Sequence, residues 1–164
     1  MKPPREKQAA PEIIGLLAGL FSSSPMAIEV QEVGSTNRYN YMISVAGHRF
    51  MAEYKSNASA GSVAVAIDCL KRSSETMTDA GLPLIVVPFM GEVGRQLCDQ
   101  SRISWLDLCG NAKIVAPGLR IWIEGRPNKY NERGRPPNVS ASKSSRVAHQ
   151  LLLHPQRFQT RNRS

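Results

Sequence analysis

The sequence predicts an α/β protein built on a mixed sheet, and three observations carry that expectation. Short alternating runs joined by turn residues fill residues 27–56. The apolar period then lengthens to that of a helix over 61–79. A continuous apolar run, "LPLIVVPF", follows at 82–89. Alternating runs with short links pair as antiparallel hairpins. A helix leading into an uninterrupted apolar strand marks a crossover into a strand covered on both faces.

Taken in order, residues 1–10 show no apolar period and read as disordered. Residues 11–21 read as a helix, with Ile13, Leu16, Leu17 and Leu20 on one stripe and Pro11 and Glu12 in its first turn. The basic flank before "IIGLLAGLF" is loosely like that of a signal peptide. Glu6 and Glu12 interrupt it, so we read an amphipathic helix. "AIEVQEVG", "YNYMISVAG" and "HRFMAEYKS" are three strands, the last two joined by a short turn at Ala46 and Gly47. Val63, Ile67, Leu70 and Met77 place a helix over 61–79, and 91–102 reads as another. "SWLDLCGNAKIVAPGLRIWIEG" is a short strand and then a hairpin turning at Pro117-Gly118. The expected order is α-β-β-β-α-β-α-β-β-β over a domain spanning 11–124.

Residues 125–142 combine three prolines, two glycines and no apolar period, which suits a basic linker. Residues 143–164 hold one short helix, with Ser142 as N-cap, Val147, Leu151 and Leu152 on its apolar side, and Pro155 as its stop.

Charge is unevenly distributed. The chain of 164 residues carries +8. Residues 1–112 hold 10 Lys/Arg and 11 Asp/Glu, a net of −1. Residues 113–164 hold 11 Lys/Arg against Glu124 and Glu132, a net of +9. A basic tail of this kind suits a polyanion, and nucleic acid is the commonest. Lys113, Arg120, Arg126, Lys129, Arg133, Arg135, Lys143 and Arg146 are the candidate phosphate contacts; the alternative is a solvated basic surface. Cys69, Cys98 and Cys109 have no metal-ligand spacing and an odd count, which points to buried thiols in a reducing cytoplasm. No stretch approaches the roughly 20 apolar residues of a membrane helix. "MGEVG" is too poor in glycine for a phosphate loop.

One pair carries candidate chemistry. Alternation puts Glu53 and Lys55 on one face of the third strand. Metal-assisted phosphodiester hydrolysis needs hard oxygen ligands for Mg²⁺ and a cation near the attacked phosphate. An acid-x-Lys triplet also arises by chance about once in a chain this long. Its place, at the end of the third strand and before the crossover helix, is the informative part.

That order with Glu-x-Lys on the third strand resembles the PD-(D/E)XK restriction-endonuclease-like fold. The resemblance implies Glu53 as a metal ligand and Lys55 as the catalytic cation, with Mg²⁺ as cofactor if the nuclease reading holds and no cofactor expected otherwise. It also implies a second acid, usually Asp, at the start of the second strand. Here no acid stands between Arg38 and Glu53; Asn37 and Asn40 occupy the region, and an amide oxygen is the poorer Mg²⁺ ligand. Glu29, or Glu32, on the first strand is the expected substitute. The segment 82–114, with Trp105, Asp107, Gly110 and Asn111 in "WLDLCGN", resembles a bacterial group of predicted regulators related to AbiEi-type antitoxin regulators. There the nuclease-like domain precedes a winged helix-turn-helix. "SKSSRVAHQLLLHPQRFQT" resembles the opening helix of such a module, broken off by Ser164. Asp107 is either a third site acid or a cap on the turn at Gly110-Asn111, and the turn is the simpler reading. Trp105 and Trp122 read as core and sheet-face packing.

The resemblance and the charge together give a DNA-binding regulator with a degenerate nuclease-like domain. A Mg²⁺-dependent endonuclease using Glu53 and Lys55, and a non-catalytic protein-binding remnant, are the alternatives.

Overall fold

The computed structural model describes residues 1–22, 27–34, 39–79 and 81–130. A 3₁₀ turn, Glu6–Gln8, leads into helix α1, Ala10–Leu20. Strands β1, Glu29–Glu32, β2, Tyr41–Val45, and β3, His48–Tyr54, follow. Helix α2, Ala60–Thr76, then precedes β4, Leu82–Val87, and helix α3, Glu92–Ser101, precedes β5, Ser104–Asp107. Strands β6, Ala112–Ala116, and β7, Leu119–Ile123, close the series. The expected α/β class with a mixed sheet is what these elements build. All described residues fall within one compact unit, Met1–Asn131.

The seven strands lie side by side in chain order. β1, β2 and β3 form an antiparallel meander. Ala46 and Gly47 both take positive φ, at 49° and 77°. That is what a two-residue hairpin asks of its central residues. β3 and β4 are parallel, as are β4 and β5, because α2 and α3 return the chain between them. β5–β6 and β6–β7 are again antiparallel.

Two apolar layers sandwich the sheet. On one face Ala9, Ile13 and Leu17 of the α1 segment pack on Tyr41, Ile43, Phe50, Tyr54, Leu84 and Val86. On the other, Val63, Ala66, Ile67 and Leu70 of α2 and Cys98 of α3 meet Met51, Ile85, Val87 and Trp105. The alternation seen in the sequence is thus resolved into two cores, with β4 feeding both. The Ser59 hydroxyl caps α2 by accepting the Ser62 N–H at 3.3 Å.

Two expectations are corrected. Residues 1–10 are not featureless: Ala9 is fully buried, the Tyr54 hydroxyl donates to the Pro4 carbonyl at 2.8 Å, and the Tyr41 hydroxyl donates to the Glu6 carbonyl. Residues 125–130, assigned to a linker, are tied to the domain. The Arg126 N–H donates to Asn111 Oδ1 at 2.8 Å, and the Tyr130 hydroxyl donates to Glu12 Oε2 at 2.9 Å. The rest of the proposed linker and the helix over 143–153 lie outside the described residues.

Gly81 marks the entry to the parallel pair. A Cβ there would lie 2.6 Å from the Arg49 carbonyl oxygen, and backbone cannot swing away as a side chain can. Gly81→Ala is therefore expected to cost about 2–3 kcal/mol through forced separation of β3 and β4. Urea denaturation measures this, and a loss below about 0.5 kcal/mol would mean that the strands part without strain.

Candidate functional site at the end of β3

β3 becomes fully buried over its last five residues, so Glu53 is driven into the α2 face with Met51 and Ile85 around it. It is 4% exposed. A carboxylate in such a place needs partners. Lys55 supplies one, with Nζ 2.6 Å from Glu53 Oε1. Oε2 has no hydrogen-bond partner.

The two groups respond differently to the same contact. Burial raises the Glu53 pKa, against the Lys55 hydrogen bond and charge, and the nearby Glu6 charge raises it further. For Lys55 burial acts downward, yet the Glu53 hydrogen bond and charge win and its pKa is raised. The difference follows from exposure: the Lys55 side chain keeps 26% of its surface in water, the Glu53 side chain 6%. Water still solvates the ammonium while the carboxylate depends chiefly on Lys55.

Register decides what else belongs to the site. The regular β2–β3 ladder ends at Tyr41–Ala52; just before it the Asn40 N–H reaches the same Ala52 carbonyl, a bulge that turns Tyr39, like Met42, toward the α2 face. The Asn40 N–H donates to the Ala52 carbonyl at 3.1 Å, and its Oδ1 accepts the Tyr54 N–H at 2.7 Å. Glu29 is opposite Ser44, which is opposite Arg49, four residues before Glu53. That is roughly 13 Å along the sheet, so Glu29 does not join Glu53 as a shared ligand. Glu32 pairs with Tyr41, whose partner Ala52 faces α1, so it lies on the opposite face of the sheet.

The acid that does approach is Glu6, whose charge acts on Glu53, Lys55 and Tyr41 alike. No pattern in the sequence points to it, because the Glu6 turn is placed by two tyrosine hydroxyls from β2 and β3. Arg5, Glu6, Lys7, Gln8 and Ser56 line an open cleft of about 480 Å³ here.

Mg²⁺ prefers near-octahedral oxygen coordination with one or more carboxylates. Among the described residues no three His, Cys, Asp or Glu side chains gather to hold a metal. Glu53 Oε1 is neutralised by Lys55 and Asn40 Oδ1 is spent on the backbone. These residues do not fit the ion, and no hydrolytic step is assigned to them.

Asp107 has the other role weighed for it. It is fully buried and accepts four hydrogen bonds: from the Met90 N–H at 3.1 Å, the Cys109 N–H at 3.0 Å, the Asn111 N–H at 2.9 Å and Asn111 Nδ2 at 2.9 Å. Asn111 Nδ2 also donates to the Arg126 carbonyl at 3.1 Å. Gly110 completes the turn at φ +93°, with the Arg126 side chain packed where a Cβ would stand. "WLDLCGN" is a structural clasp.

Of the candidate phosphate contacts, four lie among the described residues. Lys113 pairs with Asp99 at 2.8 Å and lies over the exposed Trp122 ring. Lys129 pairs with Glu12 at 3.5 Å. Arg120 is exposed on β7, and the Arg126 side chain packs by Gly110. Arg133, Arg135, Lys143 and Arg146 lie outside the described residues. The three cysteines are free thiols, and burial pushes that of Cys98 up to about 12. Among the described residues no helix is long and apolar enough to cross a membrane.

The fold and the site define a mixed α/β domain with a buried Glu–Lys pair at the end of a central strand. Comparison with protein-family profiles, curated proteins and solved structures finds no match for the chain.

Proposed function

We propose that this is a DNA-binding, regulator-like protein whose nuclease-like domain holds a charge pair in place of a catalytic centre. One observation carries the loss of catalysis: the Asn40 oxygen, in the region where the second strand would supply an acid, is committed to the Tyr54 N–H. Support for the nuclease-like ancestry comes from the β1–β3 meander, the α2 crossover and the parallel β4, with Glu-x-Lys closing β3. DNA as the partner rests on the net +9 of residues 113–164.

Fluorescence anisotropy with a labelled duplex tests the binding. With about five phosphate contacts, affinity is expected to fall roughly 10²–10³-fold between about 50 and 200 mM salt. No binding at the lower salt would remove DNA as the partner. Plasmid incubated with Mg²⁺ is expected to stay intact with the wild type. Cutting that disappears in Lys55→Ala would instead make the domain a nuclease.

A further inference from the structure

Among the described residues β7 is an edge of the sheet, and the side it turns away from β6 is chemically self-complementary. The Asp107 N–H donates to the Asn111 carbonyl at 2.8 Å, which fixes the alternation of β6: Lys113 and Val115 direct their main chain toward β5, and Ala112, Ile114 and Ala116 toward β7. The Val115 N–H accordingly donates to Ser104 Oγ on β5 at 3.0 Å. On β7, therefore, Leu119, Ile121 and Ile123 bond inward. Arg120 and Trp122 point their N–H and C=O groups off the edge, with Glu124 next in the series. Edges are commonly guarded by proline, bulges or inward charge. "LRIWI" has none of these, and it leaves Trp122 62% and the adjoining Val115 51% exposed.

We propose that β7 is the interface of a homodimer, in which two copies pair antiparallel about a two-fold axis at Trp122 and extend one sheet through both. The occupant follows from charge. With Trp122 opposite its own copy, Arg120 meets Glu124 of the partner subunit, and symmetry makes that contact twice. Centring the axis on Ile121 sets Arg120 against a tryptophan and leaves Glu124 opposite a glycine. Centring it on Arg120 opposes like charges. Glu124 is available for the contact, since its ion pair with Arg95 is long, at 3.8 Å. This proposal is independent of the DNA reading.

Sedimentation velocity on the full chain, in a dilution series up to about 0.5 mM, is the test. The wild type is expected to reach twice the chain mass. Arg120→Glu and Glu124→Arg, each confirmed as folded by circular dichroism, are each expected to weaken the dimer about 10–100-fold, because each opposes like charges twice. The double variant Arg120→Glu/Glu124→Arg reverses both pairs and is expected to restore association. A wild type that stays monomeric throughout, or a dimer that ignores both single changes, would overturn the proposal; so would a double variant no tighter than the singles.

Discussion

Asp107→Ala is expected to destabilise the protein by about 3–5 kcal/mol. The substitution removes a buried carboxylate that accepts four hydrogen bonds. Three of the donors are main-chain N–H groups, at Met90, Cys109 and Asn111, and none can turn to find another partner. The loss also spreads. Asn111 holds Arg126 through both its amide atoms, so freeing Asn111 loosens the segment after β7. Asp107→Asn keeps one acceptor oxygen and is expected to cost less than the alanine. Asp79→Ala removes an exposed carboxylate paired with Arg49 and is expected to change little. Urea midpoints for the three variants check the order. A loss below about 1 kcal/mol for Asp107→Ala would show that the turn holds without its clasp.

The sequence made the elements legible and the distances between them much less so. Alternation in 39–56, the helical period over 61–79 and the apolar run at 82–89 each report a local burial pattern, and burial is what periodicity measures. Part of the register was legible too. With Ala46-Gly47 as a two-residue turn, counting back from Val45 and His48 reaches the pair Tyr41–Ala52, but not the bulge at Asn40 beyond it. No such count was open for Glu29. Its strand joins β2 through a longer link, and the offset that carries it away from Glu53 is set by packing. Glu6 was hidden for another reason. Nothing in "PPREKQ" is periodic or apolar, and its turn is held by hydroxyls of Tyr41 and Tyr54 that are distant in sequence. The stretch 125–130 was misjudged likewise, because one buried amide and one carboxylate anchor it where apolar residues do not. Of the "WLDLCGN" motif the sequence showed the turn, and the simpler reading of Asp107 is the one its four donors support.

Lys55→Ala is expected to cost about 2 kcal/mol at neutral pH, while Glu53→Gln is expected to be neutral or stabilising. The asymmetry follows from burial: removing Lys55 leaves a carboxylate in the α2 face with neither oxygen paired to a cation, whereas removing the Glu53 charge leaves a lysine that still reaches water. The pH dependence separates the two. The Glu53 pKa is raised above its ordinary 4.5 in the folded state, so the unfolded chain gives up that proton first as pH rises. Stability from this group is therefore greatest below about 4.5 and declines until the folded carboxyl has ionised. Glu53→Gln is expected to abolish the decline, and Lys55→Ala to carry it to higher pH. The Lys55 pKa is raised as well, so its contribution holds below its ordinary 10.5 and is lost above. The two windows do not overlap. Urea midpoints between about pH 4 and pH 9 read the first cleanly. If Glu53→Gln proves as costly as Lys55→Ala, the carboxylate is a net stabiliser and the physical account of the pair fails. The same variants bear on function. Under the proposed function, a carboxylate that lowers stability while holding a cation at a strand end is kept for binding. Lys55→Ala should then weaken DNA binding and reduce the salt slope by about one, as the loss of one phosphate contact does.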